Sequence, residues 1–121
     1  MHIRKLTILK VSDNSGAKTV QCIGLYKSKK FASIGDIILV TVKTKYDKSM
    51  IKKSEVMKAI VIRTKYPFRR GGLTIRYSDN AVVLINDLGK KTIKGNRVFG
   101  STVYEVKSVI PSITNLCEKV F

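Results

Sequence analysis

Short apolar runs, each ended by turn-forming residues, limit the folds open to this chain more than any other feature of its sequence. The runs are rich in Ile and Val, whose branched side chains pack well on a pleated sheet. They span residues 6–11, 18–26, 37–42, 56–64, 73–77 and 81–86. Turn chemistry separates them, as in Ser12-Asp13-Asn14-Ser15-Gly16 and Ile34-Gly35-Asp36. Short strands at this spacing in 121 residues predict one all-β domain, a barrel or a sandwich, and closure into a barrel would remove exposed sheet edges.

Two regions fall outside the strand pattern. Residues 43–53 carry many charged side chains and predict a hairpin arm that protrudes. Near the C-terminus, residues 101–107 and 112–119 could each form one or two helical turns, separated by Pro111, which cannot continue a preceding helix. The barrel interior is expected to include seven residues of the Ile- and Val-rich runs: Ile37, Leu39, Val56, Ile60, Ile62, Val82 and Leu84.

The charge of the chain is far from balanced. There are 24 Lys and Arg residues against 8 Asp and Glu residues, which gives a net charge of +16. Such an excess repels itself within a compact domain unless a polyanion neutralises it. Nucleic acid does this most effectively, since each neutralised phosphate releases condensed counterions. An anionic membrane surface is a weaker alternative because no basic amphipathic helix is evident, and a charge that serves solubility alone is the remaining one.

The sequence lacks the residues that catalysis, metal binding or secretion would need. His2 is the only histidine, no nucleophile can be paired with a base, and acids such as Asp36 and Asp87 stand in turns, so we expect no enzyme activity and no cofactor. Cys22 and Cys117 have no metal-ligand spacing and are expected to be free packing residues. No apolar run reaches the roughly 20 residues of a membrane span, and no signal or transit peptide is recognisable.

Basic residues cluster between positions 43 and 76, where aromatic residues are interleaved with them. Tyr46, Tyr66, Phe68 and Tyr77 could stack on bases while Lys and Arg hold phosphates, although each ring taken alone fits an ordinary sheet residue better. The sharpest local signal is Arg69-Arg70-Gly71-Gly72, because two guanidiniums beside two glycines allow close approach to a phosphate. A plain hairpin turn would use the same glycines.

A series of stretches, in order along the chain, resembles the bacterial and organellar form of the large-subunit ribosomal protein fourteen family. They include Asp13-Asn14-Ser15-Gly16-Ala17 and Gly95-Asn96-Arg97-Val98-Phe99-Gly100, and together they span residues 11–18, 34–38, 52–53, 56–65, 69–70, 75–77, 79–86 and 95–100. The resemblance therefore covers nearly the whole sequence. The chain departs from the family at Ser54-Glu55, Gly71-Gly72, Ser101, Tyr104 and a shortened stretch at residues 109–111.

The resemblance implies a small five-stranded β-barrel over roughly residues 1–100, a projecting β-ribbon, and a short helical region over roughly residues 101–121. It implies a structural role in the large ribosomal subunit, with binding to large-subunit rRNA near the sarcin–ricin region. It also implies contacts with ribosomal proteins three and nineteen, and with small-subunit rRNA across the subunit interface.

Specific residues follow from these two lines of reasoning. The clustered charge and the resemblance together predict RNA contacts at Lys18, Lys29, Lys30, Lys43, Lys45, Lys52, Lys53, Arg63, Lys65, Arg69, Arg70 and Arg76. The resemblance alone implies a face that docks the small subunit or a ribosome anti-association factor, formed by Asn96, Arg97, Ser112 and Asn115.

The cellular location and one competing function remain open at this stage. Three features favour a mitochondrial gene: a composition rich in Lys, Ile, Ser and Val, the lack of a transit peptide, and the divergence from the family. A plastid or a bacterial cytoplasm is the alternative. The competing function is a free-standing basic module that binds nucleic acid or other proteins outside the ribosome.

Overall fold

Five strands close into a barrel in the computed structural model, which describes residues 3–26 and 30–121. The strands are β1 (Ile8–Val11), β2 (Ala17–Leu25), β3 (Ile37–Lys45), β4 (Val56–Arg63) and β7 (Ala81–Asp87). Neighbours along the order β1-β2-β3-β4-β7 are antiparallel, and β7 closes the barrel through a parallel pairing with β1. The predicted all-β barrel is confirmed.

Short elements decorate the barrel. Strands β5 (Phe68–Arg70) and β6 (Leu73–Ile75) form a separate antiparallel ribbon, and β8 (Thr92–Ile93) pairs with β7. Strands β9 (Ser101–Thr102) and β10 (Lys119–Val120) form a parallel pair. Between them lie a 3₁₀-helix (Tyr104–Ser108) and the helix α1 (Pro111–Leu116).

The C-terminal helices are shorter than the sequence predicts. Residues expected to begin and end them form the β9–β10 pair, in which Lys119 lies opposite Ser101. The Thr102 hydroxyl also donates a hydrogen bond of 2.9 Å to the Ile62 carbonyl and so ties β9 to the barrel. Long-range pairing thus outweighs the local helical preference at both ends.

The charged segment after β3 does not protrude as expected. Ile51 is buried in the core, and the Ser54 N–H donates to the Val42 carbonyl over 2.9 Å. Gly16 makes this return possible, because a Cβ at that position would collide with the Ser49 side chain. The ribbon that stands apart from the barrel is β5–β6 instead.

The buried apolar side chains form two clusters. The first fills the barrel and includes Val82 and Leu84, as predicted, together with Ile38, Val40 and Val42. The second lies between β4, β7 and the C-terminal region, and its fully buried members include Ile60, Ile62, Val103, Val106, Ile110 and Ile113.

Part of the predicted interior was therefore wrong. Ile37 and Leu39 are only partly buried, because alternation along β3 turns Ile38 and Val40 inward instead. Val56, the first residue of β4, is 55% exposed. Ile60 and Ile62 are fully buried, but in the second cluster under the C-terminal region. Cys22 packs in the first cluster and Cys117 against the second, and both thiols are free, as predicted.

Candidate nucleic-acid interface

Most of the basic residues predicted to contact RNA are exposed. The exposed residues are Lys18, Lys30, Lys43, Lys52, Lys53, Lys65, Arg69 and Arg76, whereas Lys45 and Arg70 are half-buried. Lys29 lies outside the described residues. Only Arg63 is buried among those that the structure describes, with 6% of its surface exposed.

Lysines gather at one end of the β2–β3 pair. Ala17 pairs with Lys45 across the two strands, and the Lys18 ammonium lies 4.7 Å from the centre of the Tyr46 ring. Lys43 is two residues before Lys45 on the same strand. Lys52 and Lys53 come from the segment that folds back onto β3, so they belong to the same end. We call these five residues, Lys18, Lys43, Lys45, Lys52 and Lys53, the β3 lysine surface.

Arg63 occupies a different setting from these lysines. Its Nε donates a hydrogen bond of 2.9 Å to Asp79 Oδ1, and its Nη1 donates to the carbonyls of Phe99 and Ser101 over 2.9 and 3.2 Å. A further bond runs from Nη2 to the Ser12 hydroxyl. The guanidinium therefore has partners within the chain on all sides, and its burial leaves the predicted phosphate contact without support.

The surroundings of Arg63 fit a fixed structural group. Gly100 adopts a φ of 79°, and a Cβ there would collide with the guanidinium. Partial burial by itself would raise the pKa of Asp79, but the hydrogen bond and charge of Arg63, helped by Lys10 at 3.6 Å, hold it below its ordinary value. Asp79 is thus kept ionised as the counter-charge of Arg63.

Arg70 is likewise bound to its own chain. Its guanidinium grips both Glu105 carboxylate oxygens and lies 4.1 Å from the centre of the Tyr104 ring. It also donates to the Phe121 carbonyl over 2.9 Å. The hydrogen bond from Arg70 holds the pKa of Glu105 below its ordinary value. The Arg70 fork is therefore engaged, in contrast to Arg69 next to it, which is exposed.

Three of the four residues of the predicted docking face come together. Asn96, Arg97 and Asn115 line one surface cavity of about 400 Å³, with Phe99 and Leu116 at its sides. Ser112 is not among the lining residues. Its hydroxyl is buried and has no hydrogen-bond partner among the residues that the structure describes.

Asn14 shapes this face although the sequence pointed only to a turn there. Its Oδ1 accepts hydrogen bonds of 2.9 and 3.0 Å from the backbone N–H groups of Asn96 and Arg97. Gly95 allows the approach, since a Cβ there would touch the same oxygen at 2.5 Å. Asparagine commonly caps its own turn, and nothing in the sequence indicates that it would bind residues more than 80 positions away.

The family model described as ribosomal protein L14p/L23e matches residues 2–121. Over residues 3–26 and 30–121, no helix has the length and apolar character needed to cross a membrane.

Proposed function

Because this chain belongs to the ribosomal protein L14p/L23e family, we propose that it is a structural constituent of the large ribosomal subunit that binds large-subunit rRNA. The observation that carries the RNA-binding part is the β3 lysine surface, where five cations stand on neighbouring segments. Each lysine that meets a phosphate releases counterions and strengthens binding. The role is structural and involves no catalytic step.

The RNA contact we propose uses the exposed cations and the half-buried Lys45. These are the β3 lysine surface, Lys30, Lys65, Arg69 and Arg76. Lys29, which lies outside the described residues, stays a sequence-based expectation. Arg63 and Arg70 hold the protein's own fold together through Asp79 and Glu105. Their contribution to RNA binding is therefore indirect, through the shape of the surface.

A second contact surface is proposed for the subunit interface. The cavity lined by Asn96, Arg97 and Asn115 combines amide groups and one guanidinium with the apolar side chains of Phe99 and Leu116, and Glu118 also lines it. A protein or RNA partner could bind there through a carboxylate or phosphate held by the Arg97 fork. We propose that small-subunit rRNA or an anti-association factor occupies it, and that ribosomal proteins three and nineteen are neighbours within the large subunit.

The location we propose is the ribosome, in a mitochondrion rather than a plastid or a bacterial cytoplasm. The support is the composition of the sequence and its departures from the family at Ser54-Glu55 and Gly71-Gly72. A free-standing nucleic-acid-binding module remains the competing function, and it predicts a different response to salt.

Sedimentation separates the two functions. We expect the protein to remain with large subunits through a high-salt wash. A protein embedded in folded rRNA makes many contacts, and salt does not break all of them at the same time. A loosely bound module would be released as salt competes for the phosphates. Recovery of the protein in the wash, free of large subunits, would contradict the ribosomal role.

A matched pair of variants tests the lysine surface itself. Lys52→Gln with Lys53→Gln removes two charges from that surface, and Lys90→Gln with Lys91→Gln removes two exposed charges from the turn between β7 and β8. For binding to large-subunit rRNA, the plot of log K against log salt has a negative slope. The first pair should make that slope less steep by about one unit per lost phosphate contact. The second pair should leave it nearly unchanged, and equal slopes for both pairs would count against the assigned surface.

A further inference from the structure

A groove separates the β5–β6 ribbon from the end of the chain. Its volume is about 440 Å³. Leu73, Ile75 and Tyr77, which stand at every second position of the chain, line the groove together with Phe121. Leu73 is 64% exposed and Phe121 48% exposed, so the apolar lining is open to a ligand.

Phe121 is held in place from three sides. Its N–H donates to the Thr102 carbonyl over 2.9 Å, continuing the β9–β10 pairing, and its carbonyl accepts from Arg70 over 2.9 Å. The Lys119 ammonium lies 5.1 Å from the centre of its ring. The main chain of Phe121 is therefore fixed, and a cation lies beside its exposed ring.

The rim of the groove is strongly positive. Arg76 lines it and is exposed, and Arg69 is exposed on the neighbouring strand of the ribbon. Arg70 also lines it, with its own charge balanced by Glu105. Among the residues that the structure describes, no Asp or Glu side chain lines the groove. The ligand that fits must bring a planar or apolar group together with negative charge.

We propose that this groove binds an unpaired nucleotide of RNA. The base lies against Leu73 and Ile75 and stacks on the Phe121 ring, and the flanking phosphates contact Arg69 and Arg76. Every base has a π-face that an aromatic side chain can accept, and loops or bulges present bases that are free of the helical stack. An apolar protein segment would fill the lining but leave the arginines unneutralised. The proposal rests on the RNA-binding function and adds the class of nucleotide that is bound.

The absence of tryptophan from the sequence makes the test direct. Phe121→Trp introduces a single indole at the groove. The probes are a short RNA hairpin with one unpaired adenosine and the same hairpin fully paired. The bulged hairpin should quench the indole fluorescence by stacking, and the paired hairpin should not. Phe99→Trp, an exposed ring at the docking cavity, is the control and should respond equally to both probes.

Affinities complete the test. Phe121→Ala should weaken binding of the bulged hairpin about 5- to 100-fold, the range expected for loss of one base–aromatic stack. Binding of the paired hairpin and the salt slope for both probes should not change, since no phosphate contact is lost. Phe121→Leu keeps apolar bulk at the chain end without the π-face, so it should weaken binding of the bulged hairpin while preserving the fold.

The two proposals fail in different ways. Equal affinity for the two hairpins, with no selective quenching and a normal salt dependence, would overturn the nucleotide groove and leave the RNA-binding function standing. Failure to bind either hairpin or large-subunit rRNA would overturn the RNA-binding function itself. Weakening by Phe121→Ala but not by Phe121→Leu would also overturn base stacking, because apolar bulk would then suffice.

Discussion

At the scale of single residues, Arg63 joins parts of the chain that are distant in sequence. Its one guanidinium bonds Asp79, the Ser12 hydroxyl, and the carbonyls that flank Gly100. Buried donors and acceptors such as these are costly when left unpaired. Arg63 therefore couples the barrel to the segment that carries Arg97 and leads into the C-terminal region.

Replacing Arg63 tests this coupling. Arg63→Gln should lower the free energy of unfolding by about 1.5–3 kcal/mol, because hydrogen bonds to charged groups are lost at a buried site. Arg63→Lys should also destabilise, since an ammonium cannot reproduce the planar fork. Arg76→Gln, which removes an exposed charge of the same kind, should stay within about 0.5 kcal/mol of the parent. Urea unfolding followed by circular dichroism measures all three, and equal stability of Arg63→Gln and Arg76→Gln would refute the structural role.

At the scale of elements, the β5–β6 ribbon and the C-terminal region meet through Arg70. Its bonds reach Glu105 in the 3₁₀-helix and Phe121 just beyond β10. No third strand among the described residues extends the ribbon, and a two-stranded ribbon is only marginally stable alone. Besides Arg70, the partly buried Phe68 and Ile75 join it to the second hydrophobic cluster. The ribbon and the C-terminal region should therefore stabilise each other.

Hydrogen exchange can show this dependence. Arg70→Gln should speed amide exchange in the ribbon, at residues 104–108 and at Phe121, because local opening no longer has to break the ion pair. Exchange in β2 and β3 should not change. Arg69→Gln is the matched control on the adjacent exposed position, and the same exchange increase in that variant would show that the Arg70 contacts do not hold the two elements together.

The elements also show which parts of the structure a sequence can predict. The five barrel strands and β6 were predicted because turn residues end each apolar run, whereas the short strands β5, β8, β9 and β10 were not predicted. The inward face of β3 could not be predicted, because residues 37–42 are apolar at nearly every position. The sequence there shows no alternation of apolar and polar residues that would distinguish the two faces. β4 is buried on both faces from Ala59 to Ile62, and only the packing of the C-terminal region explains this.

The candidate site divides in the same way. Exposure of Lys52 and Lys53 could be predicted from charge alone. The internal roles of Arg63 and Arg70 could not, because their partners Asp79 and Glu105 lie 16 and 35 positions away and only the fold brings them close.

At the scale of the whole molecule, a net charge of +16 is distributed over surfaces with different proposed partners. The docking cavity at Asn96, Arg97 and Asn115 is distinct in its lining from the β3 lysine surface and from the Phe121 groove. An interfacial charge sets association rate and specificity more than affinity. Arg97 should therefore affect mainly the association rate constant of partner binding.

Subunit joining provides the measurement. Arg97→Gln in reconstituted large subunits should slow association with the small subunit or with an anti-association factor, with a smaller effect on dissociation. Lys94→Gln removes a nearby exposed charge that does not line the cavity, and it should have little effect. A structure of the large subunit in which Arg97 and Asn115 are covered by a permanent neighbour would exclude the docking role.

The parallel pairing of β1 with β7 has a consequence for how the chain reaches its fold. Val11 finds its partner Val82 only after most of the chain has been synthesised, so the barrel cannot close while the nascent chain is short. Until then β1 and β4 present open edges, and such intermediates are prone to aggregate. Contacts of this sequence separation also slow folding to milliseconds or longer. Repulsion among the cations then protects the unfinished chain, before any polyanion is bound.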